Sequence, residues 1–183
     1  MRRIWKPSVV VATAILVMAM AAAGSVQASS PNTVTAVNQF SVDINKSLNV
    51  EFHFAPGTLH IQQGATLTFR EGPPQPPFVF PEGVDPHTLS IVRPADVPTT
   101  LRQIFNCPVC GPILEAHDPG NDQQPPFNFV VNKGPAGLNQ PGDSLLITPD
   151  HPVTRARVTA SAGTTLRFIC AIHPWMQGRL IVE

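Results

Sequence analysis

Near its C-terminus the chain reads Cys170-Ala-Ile-His173-Pro-Trp-Met176-Gln-Gly, directly after a strand-like run. A thiol, an imidazole and a thioether fall within this one short stretch. Upstream, Asp85-Pro-His87-Thr-Leu-Ser-Ile-Val places a second imidazole at the start of another strand-like run. Two His, one Cys and a weakly bound Met are the donors of a trigonal copper site, whose chemistry is the passage of single electrons. Cys170 must act there as a thiolate, and a bound metal lowers a thiol's pKa enough to deprotonate it. His87 and His173 would serve as neutral imidazoles, and Met176 as a soft, weak donor that helps to set the potential. The mixed set suits both Cu(I) and Cu(II), so little rearrangement separates them. Zinc is the rival ion for Cys/His sites, and the thioether favours copper.

Such donors need strands to hold them. Short apolar runs are separated by Pro and Gly, and no long segment has helical periodicity. This pattern predicts an all-β sandwich with long loops. The expected strands are Val50 to Phe54, Thr58 to Ile61, Ala65 to Arg70, His87 to Val92, Ser144 to Thr148, Arg155 to Thr159, Thr165 to Cys170 and Arg179 to Val182, with Gly57 and Gly64 as punctuation. Alternation puts Leu166, Phe168 and Cys170 on one face, so the thiol ends an inward-facing row. Gly178 is expected to allow a sharp exit from the ligand loop.

The N-terminus has the marks of an export signal. Arg2, Arg3 and Lys6 precede an uncharged apolar run from Val9 to Ala23, and Val26-Gln27-Ala28 is a small-x-small cleavage signal. Residues 1–28 are therefore expected to be a signal peptide. A membrane anchor results only if it is not cleaved. The protein is expected to be exported, periplasmic or extracellular, with no membrane span after cleavage. Residues 29–48 read as an N-terminal segment, partly flexible, and 49–183 as one domain with an insertion at about 93–140. The whole chain has 12 basic and 12 acidic residues, so losing the three basic residues of the signal leaves a slightly acidic remainder. That balance argues against nucleic acid as a partner, because phosphate binding needs a basic surface. A monomer is expected.

Three cysteines in an exported chain leave one over. Cys107-Pro-Val-Cys110 makes a local pair, expected to be a disulfide outside the cytoplasm, with a redox or second metal site as its alternative. Cys170 is then the free thiol, and copper ligation accounts for its survival in an oxidising compartment.

The stretch Gly163-Thr-Thr-Leu-Arg-Phe-Ile-Cys-Ala-Ile-His-Pro-Trp-Met-Gln-Gly-Arg-Leu-Ile-Val resembles the last two strands and ligand loop of a cupredoxin. The Cys-x-x-His-x-x-Met spacing is similar to that of amicyanin and other blue-copper proteins of the plastocyanin/azurin type. Pro86-His87-Thr88-Leu89 resembles the strand carrying that family's first histidine, and Gly64-Ala-Thr-Leu-Thr-Phe69 the strand before it. The resemblance implies a Greek-key cupredoxin β-sandwich with one type 1 copper at one end. It implies His87, Cys170 and His173 as equatorial ligands and Met176 as the axial one. Two Pro-rich expansions depart from the pattern, one at 93–140 and one at 72–81. They are expected to cover the copper end or to shape a docking face. Many family members have Asn after the first histidine, where its amide clamps the ligand loop. Here that residue is Thr88.

Other residues carry less. Glu51 and His53 share a strand face with His60 nearby, and read as solvated side chains rather than a second metal site. His117 and His151 lie in loops rich in Asp and Pro and are expected to be exposed. Pro174 and Trp175 offer an apolar docking surface beside His173 for a redox partner protein, with Phe78 and Phe80 as a possible extension of it. Ile169 and Ala171 flank Cys170, so the His-Cys-His route of multicopper oxidases is missing, and one loop cysteine is too few for a dinuclear copper centre. No Gly-x-Ser-x-Gly or His-Glu-x-x-His is present. The expected function is an extracytoplasmic blue-copper electron carrier and not an enzyme. Copper delivery or buffering is the alternative, disfavoured by a closed donor set that holds the only Met beyond the signal.

Overall fold

The computed structural model describes residues 31–73, 85–120 and 126–183. The expected signal peptide and most of the 72–81 expansion, with Phe78 and Phe80, lie outside them. Among the described residues, ten strands form two sheets. The first contains β1 (Thr33–Asp43), β2 (Ser47–Ala55), β4 (Thr66–Glu71) and β8 (Val153–Arg157), in the order β2-β1-β4-β8. The second contains β3 (Thr58–Ile61), β5 (His87–Val92), β6 (Val130–Val131), β7 (Ser144–Ile147), β9 (Thr165–Ile169) and β10 (Gln177–Val182), in the order β3-β10-β9-β5-β7-β6. Pairing is antiparallel except for β1 with β4 and β10 with β3. The fold is the expected all-β sandwich.

Period-two patterning builds the core. Leu67 and Phe69 of β4 face Leu166 and Phe168 of β9, Leu89 and Ile91 of β5, and Leu180 and Val182 of β10, in one buried cluster. Burying such side chains contributes about 1.5–3 kcal/mol each. Gly178 lies inside β10, not at a turn. A Cβ there would stand 2.3 Å from the Phe168 ring, so the glycine makes room for that ring.

Strand β1 was not legible as a strand, yet it pairs with β2 from Thr35 to Asp43 and with β4 from Thr33 to Ala36. The sheet therefore includes residues upstream of 49.

The insertion carries short helices. A single 3-10 turn, Pro94–Asp96, precedes α1 (Leu101–Phe105) and α2 (Cys110–His117). Thr100 and Gln103 cap α1 reciprocally, each backbone N–H meeting the other's side chain. Helix α2 lies on the outward face of the second sheet, where Cys110 and Ile113 pack with Val92, Ile169 and Ala171. This cover explains why every residue of β5 and β7 is buried, on both faces. The sulfurs of Cys107 and Cys110 are at bonding distance, 1.99 Å, and Cys170 is free. Among the described residues no helix is long and apolar enough to cross a membrane.

Candidate metal centre

His87 opens β5 on its inward face, and Cys170 follows β9 at the end of the Leu166–Phe168 row. Both are fully buried. Strands β5 and β9 are neighbours, so the pairing of Ser90 with Ile169 brings the two side chains to one end of the sandwich. The loop from Cys170 to Met176 then folds back. Met176 N–H donates to the His173 carbonyl at 2.8 Å, and Cys170 N–H donates to the Met176 carbonyl at 3.0 Å. His173 is returned to the site by this turn.

Three donor atoms converge. His87 Nδ1 and His173 Nδ1 each lie 3.8 Å from Cys170 Sγ, and the two nitrogens lie 3.2 Å apart. Among the described residues this is the group of three or more His, Cys, Asp or Glu side chains placed to hold an ion. Met176 is buried in the same core cluster as Cys170. Glu51 and His53 lie together on β2, 3.5 Å apart, and His60 bonds Glu183 instead, so these polar groups do not gather into a second site.

Each donor is tuned by its surroundings. The Nε2–H of His87 donates to Asn38 Oδ1 at 2.8 Å, which leaves Nδ1 as the bare, lone-pair nitrogen. Asn38 is held in turn by donating from Nδ2 to Glu71 Oε1 at 3.1 Å. Burial, then the neighbouring His173, pushes the His87 imidazole down to about 3. Burial also lowers His173. Both rings are thus neutral, as metal ligands must be. Burial pushes the Cys170 thiol up, against the N–H groups of Thr88 and His173, each 3.4 Å from the sulfur. Two amide donors aimed at a fully buried sulfur prepare it for negative charge. Only a cation inside the site can make that charge stable there. The donor set therefore fits a soft, thiolate-binding metal.

Thr88 takes on the clamping task. Its Oγ1 accepts the Ala171 N–H at 2.7 Å, which ties the ligand loop to β5. The insertion reaches the loop as well, because Gln177 donates from Nε2 to the carbonyls of Pro98 and Pro174. Phe52 of β2 was not foreseen. Its ring packs edge-on against His173 at 4.7 Å and His87 at 5.7 Å, and it stacks on Trp175 at 6.4 Å. The usable signal for Asn38 was a polar residue in the apolar alternation Val34, Ala36, Asn38, Phe40. Of the two expected docking residues, Trp175 is 49 % exposed and Pro174 is buried. His117, expected to be exposed, is 2 % exposed, its ring turned onto Ser144 from the end of α2. His151 is partly covered by stacking on Phe129 at 3.9 Å.

No protein-family model matches the chain, and no curated protein does. Solved structures do. A purple cupredoxin from Nitrosopumilus maritimus is 14% identical, covering 82% of this chain and 98% of its own, with a TM-score of 0.37. The chain is similar to the cupredoxins. Auracyanin A, a blue copper protein from Chloroflexus aurantiacus, is 20% identical over 72% of this chain and 89% of its own, with a TM-score of 0.38. Amicyanin from Paracoccus versutus is 12% identical over 85% and 84%, again at 0.38. The functional reading of this cupredoxin-like chain rests on its own donor geometry.

Proposed function

We propose that the protein is an extracytoplasmic blue-copper carrier of single electrons. The observation that carries this reading is the convergence of two neutral Nδ1 atoms, one buried and one half-buried, on a buried sulfur already faced by two amide N–H groups. His87, Cys170 and His173 would hold one copper, with the Met176 thioether as a further, weaker donor. Copper bound by such a set supplies one-electron chemistry. The chain's own residues do the rest. Asn38 fixes the His87 ring, Thr88 and Gln177 fix the loop, and Phe52 closes the space between the two imidazoles and Trp175. A site held from so many sides resists rearrangement, which fast electron exchange requires.

A redox partner protein would dock over Trp175, the exposed aromatic beside His173. The apolar start of the chain supports export to the periplasm or the cell exterior. Trp175→Lys is expected to slow electron transfer to a soluble haem protein in stopped flow while leaving the copper spectrum unchanged, since a charge at an interface core disturbs docking. Rapid loss of Cu(I) to a moderate chelator, with sluggish exchange in the wild type, would instead favour copper delivery.

A further inference from the structure

Three inward rows end in polar side chains at the same end of the sandwich. On β5, Ile91 and Leu89 lead to His87; on β1, Val34 and Ala36 lead to Asn38; on β4, Leu67 and Phe69 lead to Glu71. The first row meets the second where the Nε2–H of His87 donates to Asn38 Oδ1 at 2.8 Å. The second meets the third where Asn38 Nδ2 donates to Glu71 Oε1 at 3.1 Å. Asn38 is buried, so water does not stand in for either partner. Backbone bonds hold Glu71 from both sides. Its N–H donates to the Pro152 carbonyl at 2.9 Å, and the following N–H, of Gly72, donates to the Ala36 carbonyl at 2.8 Å. A Cβ at residue 72 would stand 3.0 Å from that same carbonyl oxygen, so the glycine lets the end of β4 close on β1.

A side-chain amide has two unlike ends: Nδ2 donates and Oδ1 accepts. A carboxyl oxygen on one side of Asn38 is served by Nδ2, which turns Oδ1 to the His87 ring. The ring then carries its hydrogen on Nε2, and a neutral imidazole of that form has a bare Nδ1. That Nδ1 is the atom facing Cys170 Sγ and His173 Nδ1. The opposite amide orientation would set Nδ2 against Nε2 and move the ring hydrogen to Nδ1, in among the metal donors. A carboxylate, and an acid with its hydrogen on Oε2, both present a bare Oε1, so this selection does not depend on the charge of Glu71.

We propose that Glu71 is a positioning residue for the metal centre: by accepting from Asn38 Nδ2 it sets the direction of that amide, and so keeps the ligating nitrogen of His87 free of hydrogen. Strand β1 thereby belongs to the site, as the element that carries the link. The consequence for metal binding rests on the copper reading, whereas the choice of His87 tautomer does not.

The test compares Glu71→Leu, which removes the acceptor, with Arg70→Ala, which removes the neighbouring bond between β4 and β1, from Arg70 Nε to Thr35 Oγ1 at 3.3 Å. Ring-nitrogen NMR shifts of the copper-free protein at neutral pH read the His87 tautomer directly. The wild type is expected to hold the Nε2–H form. Glu71→Leu should raise the ratio of Nδ1–H to Nε2–H about five- to tenfold, the factor that one hydrogen bond's net contribution corresponds to. In chelator competition the same variant should bind copper more weakly than the wild type. Arg70→Ala should move neither readout. Asn38→Asp, added to Glu71→Leu, sets an acceptor-only carboxylate against His87 that needs no outer partner, and should restore the Nε2–H form. The proposal is overturned if the wild type holds Nδ1–H, if Glu71→Leu keeps the wild-type ratio, if Arg70→Ala shifts it as far, or if adding Asn38→Asp restores nothing. If the tautomer shifts as expected but the wild type gives no coloured copper form, the role of Glu71 stands and the carrier reading fails.

Discussion

The two faces of β5 are built by opposite rules. Inward, His87, Leu89 and Ile91 follow one another, so an apolar row ends in a metal-facing nitrogen. Outward, Thr88 and Ser90 precede Val92, and every one is buried. On a sheet face open to water those hydroxyls would need no protein partner. Covered by α2, they find protein partners instead: Ser90 donates to Thr88 Oγ1, which also accepts the Ala171 N–H of the ligand loop. The inward face supplies donor atoms, and from the outward face Thr88 ties down the loop that carries two of them.

The inward face should be the more sensitive to change. Cys170→Ser is expected to abolish the intense visible colour of the Cu(II) form, because that absorption comes from the thiolate, and an absorption scan checks it. Phe168→Ala is expected to cost about 3–5 kcal/mol in a urea melt, the usual range for emptying a fully buried aromatic site. Asn38→Leu removes the acceptor that fixes the His87 ring. Copper affinity should fall about 10–100-fold in chelator competition, the range for losing such an outer partner. An unchanged affinity would mean that packing by Phe52 alone orients the ring.

The ligand loop was legible because its chemistry is local: Cys170, His173 and Met176 lie within one turn of chain. The eight strands that alternate or carry β-branched runs were legible for the same reason. Strand β1 was not, because Asn38 and Gln39 interrupt its apolar alternation and it lacks glycine punctuation at its start. The helices of the insertion escaped notice because both are short, and α2 is helical through its packing on Val92 and Ile169. His117 was misread for a related reason. Its neighbours Asp118 and Pro119 suggest a solvated loop, and only the tertiary arrangement shows Ser144 beneath it. The role of Thr88 depended on the side of β5 to which the loop returns, which strand order alone decides.

The outward face should tolerate more. Replacing Cys107 and Cys110 together by Ser is expected to leave the copper spectrum nearly intact, because the bridge spans a short loop and supplies none of the converging donor atoms. Loss of copper from that variant would assign the pair to a metal site. Glu71, which holds Asn38 on the inward side, should show itself through pH. Burial, and then Asp85, pushes its carboxyl up to about 8 from an ordinary 4.5. Between these values the folded chain keeps a proton that the unfolded chain has released. The stability contribution is therefore full below pH 4.5 and is lost as pH rises through 8. Glu71→Gln should flatten that decline in melts taken across this window, and an equal slope in both proteins would show that the carboxyl does not titrate there.

The visible absorption spectrum of the protein loaded with one equivalent of Cu(II), followed through reduction and reoxidation, tests the central reading most directly. An intense thiolate-to-copper band is expected, bleached on reduction and fully restored on reoxidation, with the metal retained throughout. A colourless Cu(II) form would contradict the site, and a band that fails to return because Cu(I) has left the protein would contradict the carrier.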